Sequence, residues 1–514
     1  MHQDDDRKSS GSSFAANLSC EDVRSYTHDI GETIAEIREK DKISGSCKKY
    51  FTLIDSKTGE LKTRNHSNSA EAARQLVLCG KEMFFYLGMR SGMGMPINLV
   101  SSLLESFPEV TGKKFEKLGL LTDSSIQNEE FPLGLVSIKN SHPVSLRSFM
   151  TKNPQQISCA ACHVNHLPDG RIAVGMPNDK FDLGVFNALT IYPFWKMDGA
   201  ADHNGKWDPE LTKYYKKLEA QEEQQNKKNM LSNLGILANI KMPKRVNINI
   251  PDIFSSLLHE DVPPVENQRT FLKGGPGVFN LMSPMMNVKG KEFYVSLPQI
   301  WDMDASKNSH GPIGTVNLVA SLEDFIGQAV LLTTMSPKYE SARYLDPLTT
   351  YLRCLKTPQN PQKRQEALYA KGSILFKNNC IKCHDGPNGE GLRSYPGASI
   401  GSPLVFEGLL KNYTPPDIQS RAVVKSFEKT GIKINAPDGM TPRRLNGIWV
   451  RKYLMANGSI KNMDHLFCLN GQKRVSPDRL DPLTDGVHSD LCEQYSTDEK
   501  ESLKEYLNFY YGNE

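Results

Sequence analysis

Two Cys-x-x-Cys-His pentapeptides constrain this chain more than any other feature: Cys159-Ala160-Ala161-Cys162-His163 and Cys380-Ile381-Lys382-Cys383-His384. One turn of helix brings the two thiols and the imidazole of such a motif to one edge of a planar macrocycle. The spacing is that of a c-type haem attachment site, where the thiols add across the vinyl groups and the histidine becomes the proximal iron ligand. Other uses of these residues fit less well. Structural zinc needs two cysteine pairs that can share one ion, and these pairs stand about 220 residues apart, each with its own histidine. A thioredoxin-like site has no use for the following histidine. The expected cofactors are two covalent haems, attached through Cys159, Cys162, Cys380 and Cys383 and ligated by His163 and His384.

At 514 residues the chain exceeds what one hydrophobic core supports. Helical periodicity dominates and alternating strand patterns are few, so the expected fold is mainly α. It consists of two cytochrome c-like haem domains with an N-terminal helical extension and long loops. The expected divisions are a disordered arm at 1–18, a helical extension at 19–139, a first haem domain at 140–355 and a second at 356–514. Pro358 and Pro361 mark the linker between the haem domains. A formal charge of +3 without a basic run gives no argument for nucleic acid. No apolar stretch is long enough to predict a membrane span. Haem is attached to such motifs outside the bacterial cytoplasm. A periplasmic or secreted protein is therefore expected, its signal peptide lost before this numbering begins.

Within those divisions, Ser19 is placed to cap a helix over 20–40. Ala70, Ala72, Ala73, Leu76, Val77 and Met83 share one face of a second helix starting near Ser69, broken by the glycines of 88–94. A short helix is expected at 98–107 and a solvated polar helix at 210–230. Gln365–Phe376 leads as a helix into Cys380, and Thr497–Phe509 closes the chain. Six cysteines remain: Cys20, Cys47, Cys79, Cys354, Cys468 and Cys492. An even remainder suits disulfides, with buried free thiols as the alternative, and six cysteines allow 15 pairings. Local closure favours Cys20–Cys47 and Cys468–Cys492, leaving Cys79 for Cys354.

The C-terminal third carries several runs that belong together. They are Gly372-Ser373-Ile374-Leu375-Phe376, Arg444-Leu445-Asn446-Gly447-Ile448-Trp449, Tyr453-Leu454-Met455-Ala456-Asn457-Gly458-Ser459, Leu480-Asp481-Pro482 and Gly486-Val487-His488. Upstream lie Gly274-Gly275-Pro276-Gly277-Val278-Phe279-Asn280 and Phe293-Tyr294 with Pro298-Gln299-Ile300-Trp301. In these runs the chain resembles the di-haem cytochrome c peroxidase superfamily, and within it the rubber-oxygenase branch. The resemblance covers about 140–514. It departs at Met455-Ala456, where the family has a single His, and at Leu469-Asn470-Gly471, which lacks the Met ligand of the bacterial peroxidases.

The resemblance implies that His488 is the sixth ligand of the second haem. Met440, Met455 and His465 compete for that place, and as a loop histidine His488 also fits plain solvation. No residue stands out as sixth ligand of the first haem. His166 is too close to His163 to cross the ring, and His203 suits a solvated loop. His310 is the candidate acid–base group above that iron, or an ordinary loop residue. Trp301 is the family-implied electron relay, or a core tryptophan. The expected function is a di-haem oxidoreductase that activates H2O2 or O2 at the first haem and relays electrons through the second. A small redox protein is a possible donor. The alternatives are a rubber-oxygenase-like dioxygenase acting on an unsaturated substrate and a non-enzymatic di-haem electron carrier.

Overall fold

The computed structural model describes residues 14–55, 59–62, 66–87, 95–96, 118–123, 131–137, 154–186, 209–224, 276–280, 294–303, 345–393, 441–455, 458–474 and 488–511. It also describes the positions 188, 195, 322, 325, 326 and 395. Its helices are α1 (Cys20–Arg24), α2 (Ile34–Glu39), α3 (Ser46–Leu53), α4 (His66–Tyr86), α5 (Cys159–His163), α6 (Pro209–Gln224), α7 (Asp346–Cys354), α8 (Glu366–Asn379), α9 (Met463–Leu466), α10 (Leu491–Gln494) and α11 (Thr497–Asn508). Strands are short: β1 (Ile30–Gly31), β2 (Met95–Pro96), β3 (Thr122–Asp123), β4 (Phe131–Pro132), β5 (Leu135–Ser137), β6 (Pro154–Ile157), β7 (Val164–His166), β8 (Ile172–Val174), β9 (Val278–Asn280) and β10 (Tyr294–Ser296). The described chain is thus mainly helical. None of its helices is long and apolar enough to cross a membrane.

Ser19 caps α1 as its residue type predicts, its hydroxyl accepting from Asp22 N while the Asp22 carboxylate accepts from Ser19 N. The single helix expected over 20–40 is instead two, because β1 lies between α1 and α2 and pairs antiparallel with β8. Forming that edge strand takes Ile30 and Gly31 out of helical geometry. Within the arm expected to be disordered at 1–18, residues 14–18 are ordered. Phe14–Asn17 form a 3-10 turn, Phe14 N donates to the Gly59 carbonyl at 3.1 Å, and Ala15 is buried. Residues 1–13, 88–94 and the helix expected at 98–107 lie outside the described residues.

α4 buries Ala72, Ala73, Leu76, Val77 and Met83, but Ala70 is exposed because the helix has not yet reached its neighbours there. It packs against α3 and against α7, far along the chain. One hydrophobic core therefore joins the N-terminal helices, Ala160 of the first pentapeptide, Val164 just after it, Trp301 and α7. A second joins Phe376 of α8 to Ile448, Leu454, Met463, Leu466, Leu503, Tyr506 and Tyr510. There Gly372 permits the crossing of α8 and α11, since a Cβ would sit 2.0 Å from the Ser502 carbonyl oxygen. The polar helix expected over 210–230 has a buried side. Leu211 and Tyr215 are fully covered, Tyr215 donates to the Ala188 carbonyl at 2.7 Å, and its ring lies 5.4 Å from that of Trp195.

The disulfides are Cys20–Cys354, Cys47–Cys79 and Cys468–Cys492. Only the last pairs as local closure suggested. Cys20–Cys47 and Cys79–Cys354 are corrected, because α1 packs on α7 and α3 on α4, bringing Cys20 to Cys354 and Cys47 to Cys79 at Cα separations of 5.1 and 4.3 Å. Behind the bonds lies a buried polar cluster. Lys81 Nζ donates to the Asp41 carboxylate and to the His28 carbonyl at 2.7 Å and pairs with Asp29 at 3.2 Å, while Tyr351 of α7 donates to Asp29 at 2.7 Å. Peptide mapping without reduction should recover these three pairs. Replacing Cys20 and Cys354 together by serine should lower unfolding free energy by about 2–4 kcal/mol in a denaturant titration.

Candidate functional site

The first pentapeptide forms a helix too short to satisfy its own C-terminal carbonyls. The segment after the β7–β8 hairpin supplies the missing donors. Asn178 Nδ2 donates to the Ala161 carbonyl at 3.0 Å, Asn178 N to Cys162 at 2.8 Å, and Gly175 N to His163 at 2.7 Å. Ala160 and Ala161 are buried, while Cys159, Cys162 and His163 are partly covered, Cys159 by the larger core. Burial pushes both thiols up to about 12 and lowers the His163 imidazole to about 4, opposed by the Pro298 carbonyl beside the ring. The imidazole is thus neutral at pH 7. Its Nδ1 is buried and, among the described residues, makes no hydrogen bond.

The second pentapeptide begins where α8 ends. Cys380 N still donates to the Phe376 carbonyl at 2.8 Å, and His384 N to Cys380 at 3.0 Å, so the helical turn continues through the motif. His384 Nδ1 donates to the Gly389 carbonyl at 2.5 Å. A carbonyl can only accept, so Nδ1 carries the proton and Nε2 presents its lone pair. That is how a metal-binding histidine is oriented. His488 stands opposite, its ring centre 6.2 Å from that of His384 and the planes 18° apart. Two imidazoles bound end-on to one metal at about 2 Å each have ring centres about 6 Å apart. Although part of His488 reaches solvent, desolvation lowers it to about 4, helped by His384 and Arg474 and opposed by Asp490, so it too is neutral.

Local backbone aims His488. It occupies left-handed geometry at φ 59°, which costs a non-glycine residue roughly 1–3 kcal/mol and needs support from its surroundings. Support comes from the Leu491 N bond to the His488 carbonyl at 3.3 Å and from Cys492, tied to Cys468. Of the competitors, His465 is held through Nδ1 at the Lys473 carbonyl, 2.7 Å away, and Met455 packs against the second core, whereas His488 is the imidazole that the described ring contacts set against His384. His166 is exposed and bonded to Gly170, away from the space beside His163. His203, Met440 and His310 lie outside the described residues.

Between the two pentapeptides runs the segment Ser296–Asp302, preceded by the antiparallel pairing of β9 with β10. Its centre is Trp301, fully buried, whose indole N–H donates to the Val174 carbonyl at 2.7 Å. A Cβ on Gly175 would lie 2.4 Å from Trp301 Nε1, and one on Gly447 2.7 Å from its ring carbon Cζ3. The indole thus fills the space between a glycine twelve residues beyond His163 and one inside the Arg444–Trp449 run. Gln299 Nε2 donates to the Arg444 and Asn446 carbonyls, each at 3.0 Å, and Asn388 Nδ2 donates to the Asp302 carbonyl at 2.9 Å. Gln299, Asn388 and Asn446 give no signal in the sequence, since isolated polar residues in loops carry no periodic mark of burial.

Haem attachment fits the residues present. All six other cysteines are bonded in pairs, while Cys159, Cys162, Cys380 and Cys383 are free thiols. Both motif imidazoles are held neutral, and one faces a second imidazole at metal-bridging separation. Among the described residues no three His, Cys, Asp or Glu side chains converge as a metal-ion site. Gly447→Ala combines a left-handed φ of 71° with a collision on Trp301 and should destabilise the protein by about 2 kcal/mol or more in thermal unfolding. No protein-family model matches the chain, and no curated protein matches it.

Proposed function

We propose that this chain is a di-haem c-type oxidoreductase of the peroxidase/oxygenase kind. His163 would hold the iron that meets H2O2 or O2, and His384 with His488 the iron that relays electrons. The reading rests on the inequality of the two histidines. His488 faces His384, whereas among the described residues no second imidazole pairs with His163. Two strong axial ligands suit electron transfer, and an open position suits activation of a small oxidant. When bound, the haems supply the redox and bond-breaking chemistry.

The chain's own residues then have defined tasks. The four free thiols fix each macrocycle against its helix turn. The Gly389 carbonyl keeps the proton of His384 on Nδ1 and its lone pair on Nε2. Trp301 touches both halves of the molecule, which supports a route for electrons between them. Its N–H is bonded to a carbonyl, which is no base, so the ring keeps its proton when charge passes. His310 remains the proposed group that moves a proton at the oxidant. H2O2 is the favoured oxidant, with a small redox protein as donor. Cleavage of an unsaturated substrate in the manner of the rubber oxygenases is the alternative that the motif resemblance favours. Three disulfides support maturation in an oxidising compartment such as the periplasm.

The mass of the intact chain should exceed that of the polypeptide by two haems, and a zinc-loaded chain without haem would overturn the proposal. Ferric EPR should show one low-spin and one high-spin haem, with H2O2 consumed and the high-spin signal altered. Two low-spin haems indifferent to peroxide would leave an electron carrier. His488→Ala should turn the low-spin signal high-spin, while His465→Ala leaves it unchanged. Trp301→Phe, which keeps an aromatic ring but loses the N–H bond, should slow electron exchange between the haems without changing either spectrum.

A further inference from the structure

A row of aromatic rings leads from His384 through the second core to the surface. Tyr369 and Phe376 lie on α8, Tyr506 stands on α11, and Tyr510 follows that helix. Gly372 lets the two helices approach closely enough for these rings to meet. The centre of the Phe376 ring lies 6.5 Å from that of His384, 5.2 Å from that of Tyr506 and 5.5 Å from that of Tyr510. Tyr506 lies 5.2 Å from Tyr369 and 5.7 Å from Tyr510. Each step is within the range of aromatic contact. Phe376, Tyr506 and Tyr510 are buried, so the middle of the row is shut from water. At the outer end Tyr369 is half-buried, with the Arg364 guanidinium 4.2 Å from its ring centre. Both are electrostatic neighbours of Tyr511, which is exposed and whose hydroxyl accepts from Asn360 N at 2.5 Å. The row thus ends on a surface platform of two phenol rings and a guanidinium.

We propose that Tyr369 is an oxidation site for phenolic donors, and that the rings of Tyr506 and Phe376 carry each electron from it to the iron held by His384. This rests on the di-haem reading above and adds to it a reductant that is met at the surface, outside any haem pocket. A phenol is the donor that suits the platform. Aromatic rings and a guanidinium plane both stack on an aromatic face. A phenol O–H bond is also of nearly the same strength as that of tyrosine, so a hydrogen atom passes between them at little cost. Oxidation of Tyr369 sends one electron inward and releases the hydroxyl proton to water. The tyrosyl oxygen then takes a hydrogen atom from the donor, whose O–H bond breaks as the tyrosine O–H bond re-forms. Two such turnovers supply the two electrons and two protons that convert one H2O2 into two waters, and they leave two phenoxyl radicals. Tyr506 and Phe376 serve by their rings alone, since the electron crosses them without a proton.

The test uses the purified holo-protein and its Tyr369→Phe, Tyr506→Phe and Tyr506→Leu variants, each first weighed for haem. Wild-type protein that lacks haem, or holds it and ignores H2O2, refutes the di-haem reading itself. With haem present and H2O2 consumed, freeze-quench EPR without a donor should show a tyrosyl radical that narrows when the protein is made with ring-deuterated tyrosine. The probe donor is a phenol coupled to dextran, too large to enter a pocket. Tyr369→Phe keeps the ring and is expected to fold; it should abolish the tyrosyl signal and slow oxidation of the probe several-fold, with both haem spectra and midpoint potentials unchanged. Tyr506→Phe should keep the wild-type rate and Tyr506→Leu should lower it, because the ring is what conducts. Tyr50→Phe, in the other core, should change nothing. A wild-type protein that consumes H2O2 without a tyrosyl signal would overturn the assignment, as would a Tyr369→Phe variant with signal and probe oxidation intact.

Discussion

Trp301 is a side chain that both halves of the described structure must fit. On one side stands Gly175, whose N–H caps the first pentapeptide; on the other stands Gly447, at the start of the turn that enters the second core. Neither glycine tolerates a Cβ against the indole. Truncating a buried tryptophan typically costs about 3–5 kcal/mol, but its larger consequence here is geometric. The hydrogen bonds from Gln299, Asn388 and Asn446 form around the ring and fix one motif relative to the other. Backbone carbonyls and amide side chains dominate this junction, and their directional bonds set position more tightly than apolar contact alone.

The N-terminal region serves the same end from the opposite side. It is not an appendage: β1 extends the hairpin that follows the first pentapeptide, α4 packs on α7, and Cys20 is bonded to Cys354. Tyr351, Asp29, Asp41 and Lys81 bury charge in that interface, where each group is satisfied by the others. The first motif is thereby held in a core assembled from residues more than three hundred positions apart, whereas the second sits in a smaller core built from α8, α11 and the segments between them. The two motifs are alike in sequence and unlike in setting, the difference on which the proposed division of tasks rests.

Much of the candidate site is legible in the amino-acid sequence. The pentapeptides single out the six residues proposed to attach and ligate haem, and their local helical turns follow from spacing alone. The caps of α1 and α11 follow from Ser19 and Ser496 with an acidic residue three positions on. The family resemblance points to His488, which stands opposite His384. Features that depend on distant partners are not legible in the same way. The break between α1 and α2 exists because β8 offers hydrogen bonds to Ile30 and Gly31. The α6 helix hides Leu211 and Tyr215 within an otherwise polar run, and two of three disulfide pairings follow helix packing instead of proximity in the chain.

What the sequence determined by itself is covalent and local: which thiols and imidazoles are spaced for a haem, which residues start helices, where glycine breaks them. These depend on neighbours within a turn or two. What only the tertiary structure decided is which groups face one another across the chain: His488 with His384, Trp301 between Gly175 and Gly447, and Cys20 with Cys354. Those juxtapositions arise from packing and long-range hydrogen bonds, whose partners leave no periodic mark on the sequence.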